Sequence, residues 1–305
     1  MELVEAIILS VLAASTPLLI AATGELLTER SGVLNLGVEG MMIMGAACGF
    51  AGAWLSGSIL VGALCGMVAG TLMSLIFALM ALGLAVNQVA TGLALTILGV
   101  GLSGLIGAGF VGERITPAAH LDIPGLTDIP FIGNVLFGQD AFVYLSLALI
   151  VGVWWFLYRT RPGLILRACG DNHLSAHALG YPVLRIRTLA VMFGGACAGL
   201  AGAYLPLAYT PFFIPGMTAG RGWIALALVV FSSWRPGRLV VGAYLFGAVT
   251  ILQLHAQGWG VGIPSQFMSA LPYLATIIVL VLLSRARTGG STAPAALGTV
   301  FVPDR

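Results

Sequence analysis

Residues Ile59–Leu82 read ILVGALCGMVAGTLMSLIFALMAL, a run with no charged residue. At about 1.5 Å of helix rise per residue, this run is long enough to cross the ~30 Å hydrocarbon core of a bilayer. Working outward from it, no charge occurs between Glu39 and Glu113, between Arg187 and Arg221, or between Arg238 and Arg285. Each of these gaps has room for at least one further span. The composition agrees: 59% of the 305 residues are hydrophobic and 8% charged, against roughly 25% charged in soluble domains. A soluble globular enzyme is excluded. The expected fold is all-α, a polytopic transmembrane helix bundle of about 8–10 spans.

Hydropathy places spans near Leu3–Thr23, Val33–Leu55, Ile59–Leu82, Val89–Gly109, Ala141–Tyr158, Thr188–Ala208, Trp223–Ser233, Leu239–Leu254 and Met268–Ser284. The runs at Trp223 and Leu239 are too short to cross as drawn, so they are either broken helices or begin earlier in glycine-rich flanks. Met1–Glu5 carries acids and no arginine, which is not the basic start of a cleaved signal peptide, so the first span is expected to stay. Residues 1–284 form the expected membrane domain, and 285–305 an expected cytoplasmic tail.

Orientation follows from the arginines, because short basic loops remain cytoplasmic. The loop 159–187 holds Arg159, Arg161, Arg167, Arg185 and Arg187 against Asp171 alone, and Arg235, Arg238, Arg285 and Arg287 mark two more cytoplasmic points. Parity then puts Arg30 inside and the amino terminus outside. The segment 110–140, with Glu113, Asp122, Asp128 and Asp140 against Arg114, faces out. The 42 glycines let helices approach closely where no hydrophobic effect drives them together. Gly45–Leu55 (GAACGFAGAWL) resembles Gly195–Leu205 (GACAGLAGAYL), a likeness that shared packing demands explain without a duplication.

The chemistry is sparse. A P-loop ATPase needs a lysine, and this sequence has none, so ATP hydrolysis belongs to another chain. The net charge of +2 leaves no basic footprint for nucleic acid. His173 and His177 have the i, i+4 spacing of a metal pair but no third ligand at a plausible spacing, and they read as a solvated loop face. Cys48, Cys65, Cys169 and Cys197 read as small packing residues. Glu39 is read as the one acidic functional candidate inside the membrane and thus the default suspect. Asn35 lies on its helical face. Asn87, Gln88 and Thr91 enter the fourth span together, and Gln253 lies with His255 near an outer helix end. Such amides and hydroxyls suit a neutral polar solute, and they equally suit hydrogen bonds between helices or to backbone at a helix start.

Within the basic loop, Gly170 is expected to break the preceding run and Asp171 or Asn172 to cap a short helix that ends at Leu179, stopped by Gly180, Tyr181 and Pro182. Two turns are not stable alone and must dock. Ala176, Ala178, Leu174 and Leu179 offer a narrow apolar knob for a groove on a soluble partner. An interfacial helix on anionic headgroups is the competing reading.

Four stretches resemble the permease subunits of ABC importers of the branched-chain amino acid and simple-sugar group, nearest to the nucleoside type. They are GELLTERSGVLNLGVEGMMIMGA (Gly24–Ala46), RPGLILRACGDNHLSAHALGYPV (Arg161–Val183), GRGWIALALVVFSSWRP (Gly220–Pro236) and GIPSQFMSALPYLATIIVL (Gly262–Leu280). The resemblance implies a multi-pass protein of the bacterial inner membrane, with a cytoplasmic carboxyl terminus. It implies half of a translocation pore, a second permease subunit, two cytoplasmic ATPases that hold ATP and Mg, and an extracytoplasmic solute-binding protein. The family's coupling segment matches at Arg167, Ala168, Gly170, Asn172, Ala176 and Gly180, to which Asp171 and Leu179 are added from the loop itself. Asp171 stands where Glu is usual, Tyr181 where Ile is usual, and His173 and His177 replace smaller or aliphatic residues; these departures bear on which ATPase docks. The alternatives are an ion-coupled secondary transporter, for which Glu39 is the acidic candidate, and a membrane enzyme or purely structural bundle.

Overall fold

A computed structural model describes residues 2–121, 127, 132–258 and 293–302, with isolated positions between 267 and 281. The helices are α1 (Glu2–Arg30), α2 (Val38–Ser56), α3 (Ile59–Ala78, extended by a π-turn Leu79–Gly83), α4 (Gln88–Gly107), α5 (Ile132–Phe137), α6 (Ala141–Arg159), α7 (Arg161–Asp171), α8 (His173–Ala178), α9 (Val183–Tyr204, extended by a π-turn Leu205–Tyr209), α10 (Arg221–Phe231) and α11 (Pro236–Gly258). Seven of them are long and apolar enough to cross a bilayer, whereas α10 has 11 residues. The ninth predicted span, Met268–Ser284, falls largely outside the described residues; its described positions are helical.

The two short predicted spans resolve differently. The first is α10, a half-length helix entered through irregular backbone; the second begins earlier, at Pro236, and runs the full width as α11. The first span continues beyond Thr23 to Arg30, and this corrects the reading of Glu39 as the lone intramembrane acid. Glu25 and Glu29 lie fully buried on the added turns. Glu29 Oε2 accepts the Trp234 indole N–H at 2.5 Å, and Glu25 Oε1 faces the Asn35 backbone N–H at 3.4 Å. The second span starts at Val38 instead of Val33, because the Asn35 side-chain carbonyl takes the Gly37 N–H at 2.9 Å and holds a turn there.

Helix α9 is the axis of the bundle. Its Gly195 and Gly199 lie against Gly70 and Gly66 of α3 so closely that a Cβ at any of the four would collide with the facing helix. Gly45 and Gly49 of α2 meet Gly199 and Ala203 in the same way, and Gly40 meets Gly99 of α4. The two similar stretches, 45–55 and 195–205, thus run side by side along one seam, and each is built of small residues because it faces the other. Such backbone approach replaces the hydrophobic drive that lipid cannot supply. By contrast α3, α4, α6 and α11 expose large apolar side chains such as Leu72, Ile97, Val151 and Val241.

The bundle has two distinct ends. At one, Arg30, α7, α8, the α10–α11 turn and residues 293–302 come together. At the other, Ile115 and Ala118 donate to Pro211 O and Leu207 O at 3.2 and 2.8 Å, and Asp140 caps α6 through Phe142 N and Val143 N at 2.8 and 3.0 Å. The arginine-rich and acid-rich loops therefore lie at opposite ends, as the charge pattern requires.

The seam makes a checkable statement. Gly199→Leu is expected to destabilise the detergent-solubilised protein by about 1–3 kcal/mol or more through overpacking. Gly101→Ala, where a Cβ meets nothing within 4 Å, is expected to be neutral or stabilising by up to about 1 kcal/mol. Thermal unfolding of both variants measures the contrast, and equal melting points would contradict the packing.

Candidate functional site

The arginine-rich end is built from local signals. Thr160 Oγ1 accepts the Gly163 N–H at 3.1 Å and Pro162 sits in the first turn, which starts α7. Gly170 does not break that helix: α7 runs through it to Asp171, and the break comes at Asn172, whose extended backbone and side-chain carbonyl, 2.9 Å from Ser175 N, start α8. Gly170 serves packing instead, because a Cβ there would strike the Arg30 carbonyl, and its own carbonyl accepts the Ala296 N–H at 2.9 Å. Gly180, with φ of +86°, and Pro182 end the segment.

The resulting faces differ from the expected knob. Ala176 points inward and is 3% exposed, packed with Cys169, Val183 and Phe301. Leu174 and Leu179 point away, 63% and 76% exposed. Ala168, Asp171, Asn172 and Gly180 share the surface, while the Arg167 guanidinium lies 5.0 Å over the Tyr158 ring. The apolar projection of α8 is thus made of two leucines, with the alanine as the buried base beneath them.

What holds α8 from behind was not legible as such. Arg187, read from sequence as a loop charge, is fully buried. It donates to Ser31 O at 3.1 Å, Thr299 O at 3.3 Å and Cys169 O at 3.5 Å, and lies 3.3 Å from His173 Nδ1. One guanidinium thereby ties the α1–α2 linker, α7, α8 and the tail together. The tail adds Gly298 N to Gly32 O at 3.1 Å, and Gln88 reaches Leu34 N at 2.8 Å and Thr299 O at 3.4 Å. Phe301 stacks edge-on between His173 and His177, with ring centroids 5.1 and 5.4 Å apart. The histidine pair is an aromatic clamp, and among the described residues no metal-sized group of ligands forms. Burial, then the Arg187 charge, hold the His173 imidazole below its usual value.

The expected solute contacts are distributed across several tasks. Glu39 accepts from Thr218 Oγ1 at 2.6 Å, Gly220 N at 2.9 Å and Gly222 N at 2.6 Å, so its carboxylate covers the start of α10. Helix N-termini leave unsatisfied N–H groups with a partial positive charge, which a carboxylate offsets. Asn35 and Gln88 spend their amides on the α2 entry. Asn87 caps α4 through Ala90 N at 3.0 Å, Thr91 Oγ1 returns to Asn87 O at 2.8 Å, and Gln253 is half-buried on α11. The six do not converge on one point. At the acid-rich end, a cavity of about 840 Å³ is lined by neutral and titratable polar groups including His120, Asn134, Gln139, Asp140, Tyr209 and His255.

Residues 7–284 match the family described as branched-chain amino acid transport system / permease component. The chain is 42% identical to the "Putative glucose ABC transporter permease protein" of Haloferax volcanii over 88% of each chain. It is 31% identical to a guanosine ABC transporter permease of Bacillus subtilis, over 99% of this chain and 98% of that one. It is 30% identical to a nucleoside ABC transporter permease of Lactococcus lactis, over 98% and 97%.

Three outcomes test the geometry. Glu39→Gln keeps the shape but replaces the charged acceptor, and hydrogen bonds to charged groups contribute about 1.5–3 kcal/mol each; melting temperature and uptake are expected to fall together, and a full loss of uptake at unchanged stability would contradict the cap. Phe301→Ala is expected to release the tail to limited proteolysis without unfolding the bundle. Because the folded-state His173 value is depressed, the unlatched form binds more protons as pH falls past the usual imidazole value of about 6.5, so the latch weakens toward acid pH. Tail cleavage is expected to rise from pH 7.5 to 5.5, and a flat profile would contradict that role for His173.

Proposed function

The chain belongs to the family of branched-chain amino acid transport system permease components, and on that premise we propose that it passes nucleosides or related small polar solutes inward, driven by a separate ATPase docked at α7 and α8. It is a membrane permease subunit of an ABC importer and not itself an enzyme. The observation that supports the docking site is the pair Leu174 and Leu179, exposed over a buried base that Arg187 and Phe301 fix to the bundle. A short helix transmits force only if it is rigid with respect to the helices it moves, and this one is tied through His173 to Arg187, through both histidines to Phe301 and through the buried Ala176. In the proposed cycle, ATP and Mg bind between two partner ATPases, their closure pushes α8, and the bundle rocks between two access states.

The same reading assigns a second permease subunit to complete the pore, an extracytoplasmic binding protein at the acid-rich end, and the cytoplasm to the arginine-rich end with residues 293–302. Residues 1–284 serve as the membrane domain, 159–187 as the coupling loop and 285–305 as the tail. Nucleosides are preferred because relatives named for guanosine and nucleosides match nearly the whole chain, and a hexose is the second reading, favoured by the 42% identity to the glucose-named protein. Both are neutral, hydroxyl-rich solutes, and the 840 Å³ cavity lies within the roughly 300–1,000 Å³ of small-molecule sites. Asn87 and Gln253 remain the polar side chains proposed along the path, with capture affinity supplied by the binding protein.

The test is reconstitution with the partner ATPase and binding protein, measuring labelled guanosine and glucose uptake. Leu174→Asp with Leu179→Asp is expected to cut uptake and ATPase association at least about tenfold at unchanged melting temperature, whereas Gly170→Glu is expected to destabilise the permease itself. Concentrative uptake by this chain alone, or uptake that survives ATP removal and is abolished by an ionophore, would overturn the proposal in favour of ion coupling.

A further inference from the structure

A second feature of the arginine-rich end is separate from the α8 projection. Between α6 and the start of α11 lies a groove of about 650 Å³, lined by Arg30, Arg235, Arg238, Asp171, Trp154 and Tyr158. Three guanidinium-bearing residues thus face one carboxylate. Arg30 commits two of its N–H groups to Trp234 O, at 3.1 and 2.7 Å, which fixes it in the wall. Arg235 and Arg238 are exposed. Arg167 lies over Tyr158 with its Nε buried and without a hydrogen-bond partner, and the Arg159 guanidinium lies 6.0 Å over Trp154. The groove is therefore strongly cationic and edged by aromatic rings.

The charge chemistry asks for a phosphate-type anion, since arginine forks match phosphate oxygens. The walls decide which source of phosphate fits. One helical turn and two turns from the groove, the same face of α6 carries Val151 and Leu147, and the same face of α11 carries Val241 and Leu245, all of them exposed. Trp154 and Tyr158 sit where the apolar faces meet the arginines, the position that aromatic residues favour at a membrane interface. A soluble anion leaves the apolar strips bare, and a docked soluble protein cannot cover strips that rise into the hydrocarbon region. A molecule with a phosphate head and acyl tails covers both.

We propose that this groove holds the headgroup of an anionic phospholipid, with its acyl chains along α6 and α11. The bound lipid neutralises the arginines beside the α10–α11 turn, whose backbone carbonyl at Trp234 is held by Arg30, and so braces the turn that ends the half-length helix.

The experiment uses the full-length permease purified in detergent, with retained lipids extracted and identified by mass spectrometry, and melting temperature measured in nanodiscs of phosphatidylglycerol or phosphatidylcholine. Wild type is expected to retain about one equivalent of anionic phospholipid through a delipidating wash and to melt higher in phosphatidylglycerol. The double variant Arg235→Gln, Arg238→Gln is expected to lose that retention about tenfold and to melt equally in both lipids. The variant Arg235→Lys, Arg238→Lys keeps the charge without the planar fork and is expected to retain lipid at a level between wild type and the double glutamine variant, which separates binding from folding; Arg185→Gln, outside the groove, is expected to behave as wild type. Retention unchanged in the double glutamine variant would overturn the proposal. So would stabilisation by 10 mM inorganic phosphate equal to that by phosphatidylglycerol, or a lipid-free groove cross-linked through residue 238 to a partner subunit in the assembled transporter.

Discussion

A bilayer offers no water to a backbone end, and the arrangement of this protein follows from where such ends are placed. Helix α10 begins partway through the bundle, so its first N–H groups need an acceptor that the protein itself supplies. The Glu39 carboxylate does this with three hydrogen bonds to Thr218, Gly220 and Gly222. That contact fixes α2 against the irregular segment before α10, and α2 is in turn seated on α9 through the glycine seam. At the other end of α10, Glu29 and Arg30 hold Trp234 by its indole and its carbonyl. The half-length helix is thereby clamped at both ends by ionisable side chains from the first two helices of the chain.

Much of this was readable from the residues, and the failures have physical causes. Uncharged runs gave the long helices, and arginine spacing separated the two ends, because both follow from transfer energies that act residue by residue. Span limits erred at Thr23 and Val33, where charged or polar residues stop a hydropathy window even though Glu25, Glu29 and Asn35 have partners inside the fold. Asn172 as a helix cap was visible locally, since an Asx residue before a short helical run is a short-range signal. Ala176 reads as part of an outward knob because spacing within a two-turn helix cannot tell which side meets the bundle, and Gly170 reads as a helix breaker because a close backbone approach such as the one it makes to Arg30 leaves no local pattern. The partners of Arg187 and Phe301 were beyond reach, since both are long-range contacts with no local pattern.

Division of labour is also visible in how polar groups are used. Most of the amides and acids that stood out in the sequence serve the backbone, and those on the helix surfaces are few. These polar groups hold broken and glycine-rich helices in register. Exposed apolar area is concentrated on α3, α4, α6 and α11, whereas α2 and α9 are mostly enclosed, so the bundle has a packed centre and a periphery open to lipid or neighbouring subunits.

The position of the latch in the chain has a consequence for biogenesis. Residues 293–302 are translated after every membrane helix described above, yet they complete the seat of α8 through Thr299 and Phe301. A ribosome that stops before them releases a protein whose spans are inserted but whose handle is loose. If α8 is the docking element proposed above, competence to join an energised complex arises only once synthesis has passed the membrane, and a fusion placed directly behind Val302 burdens the residues that seat it.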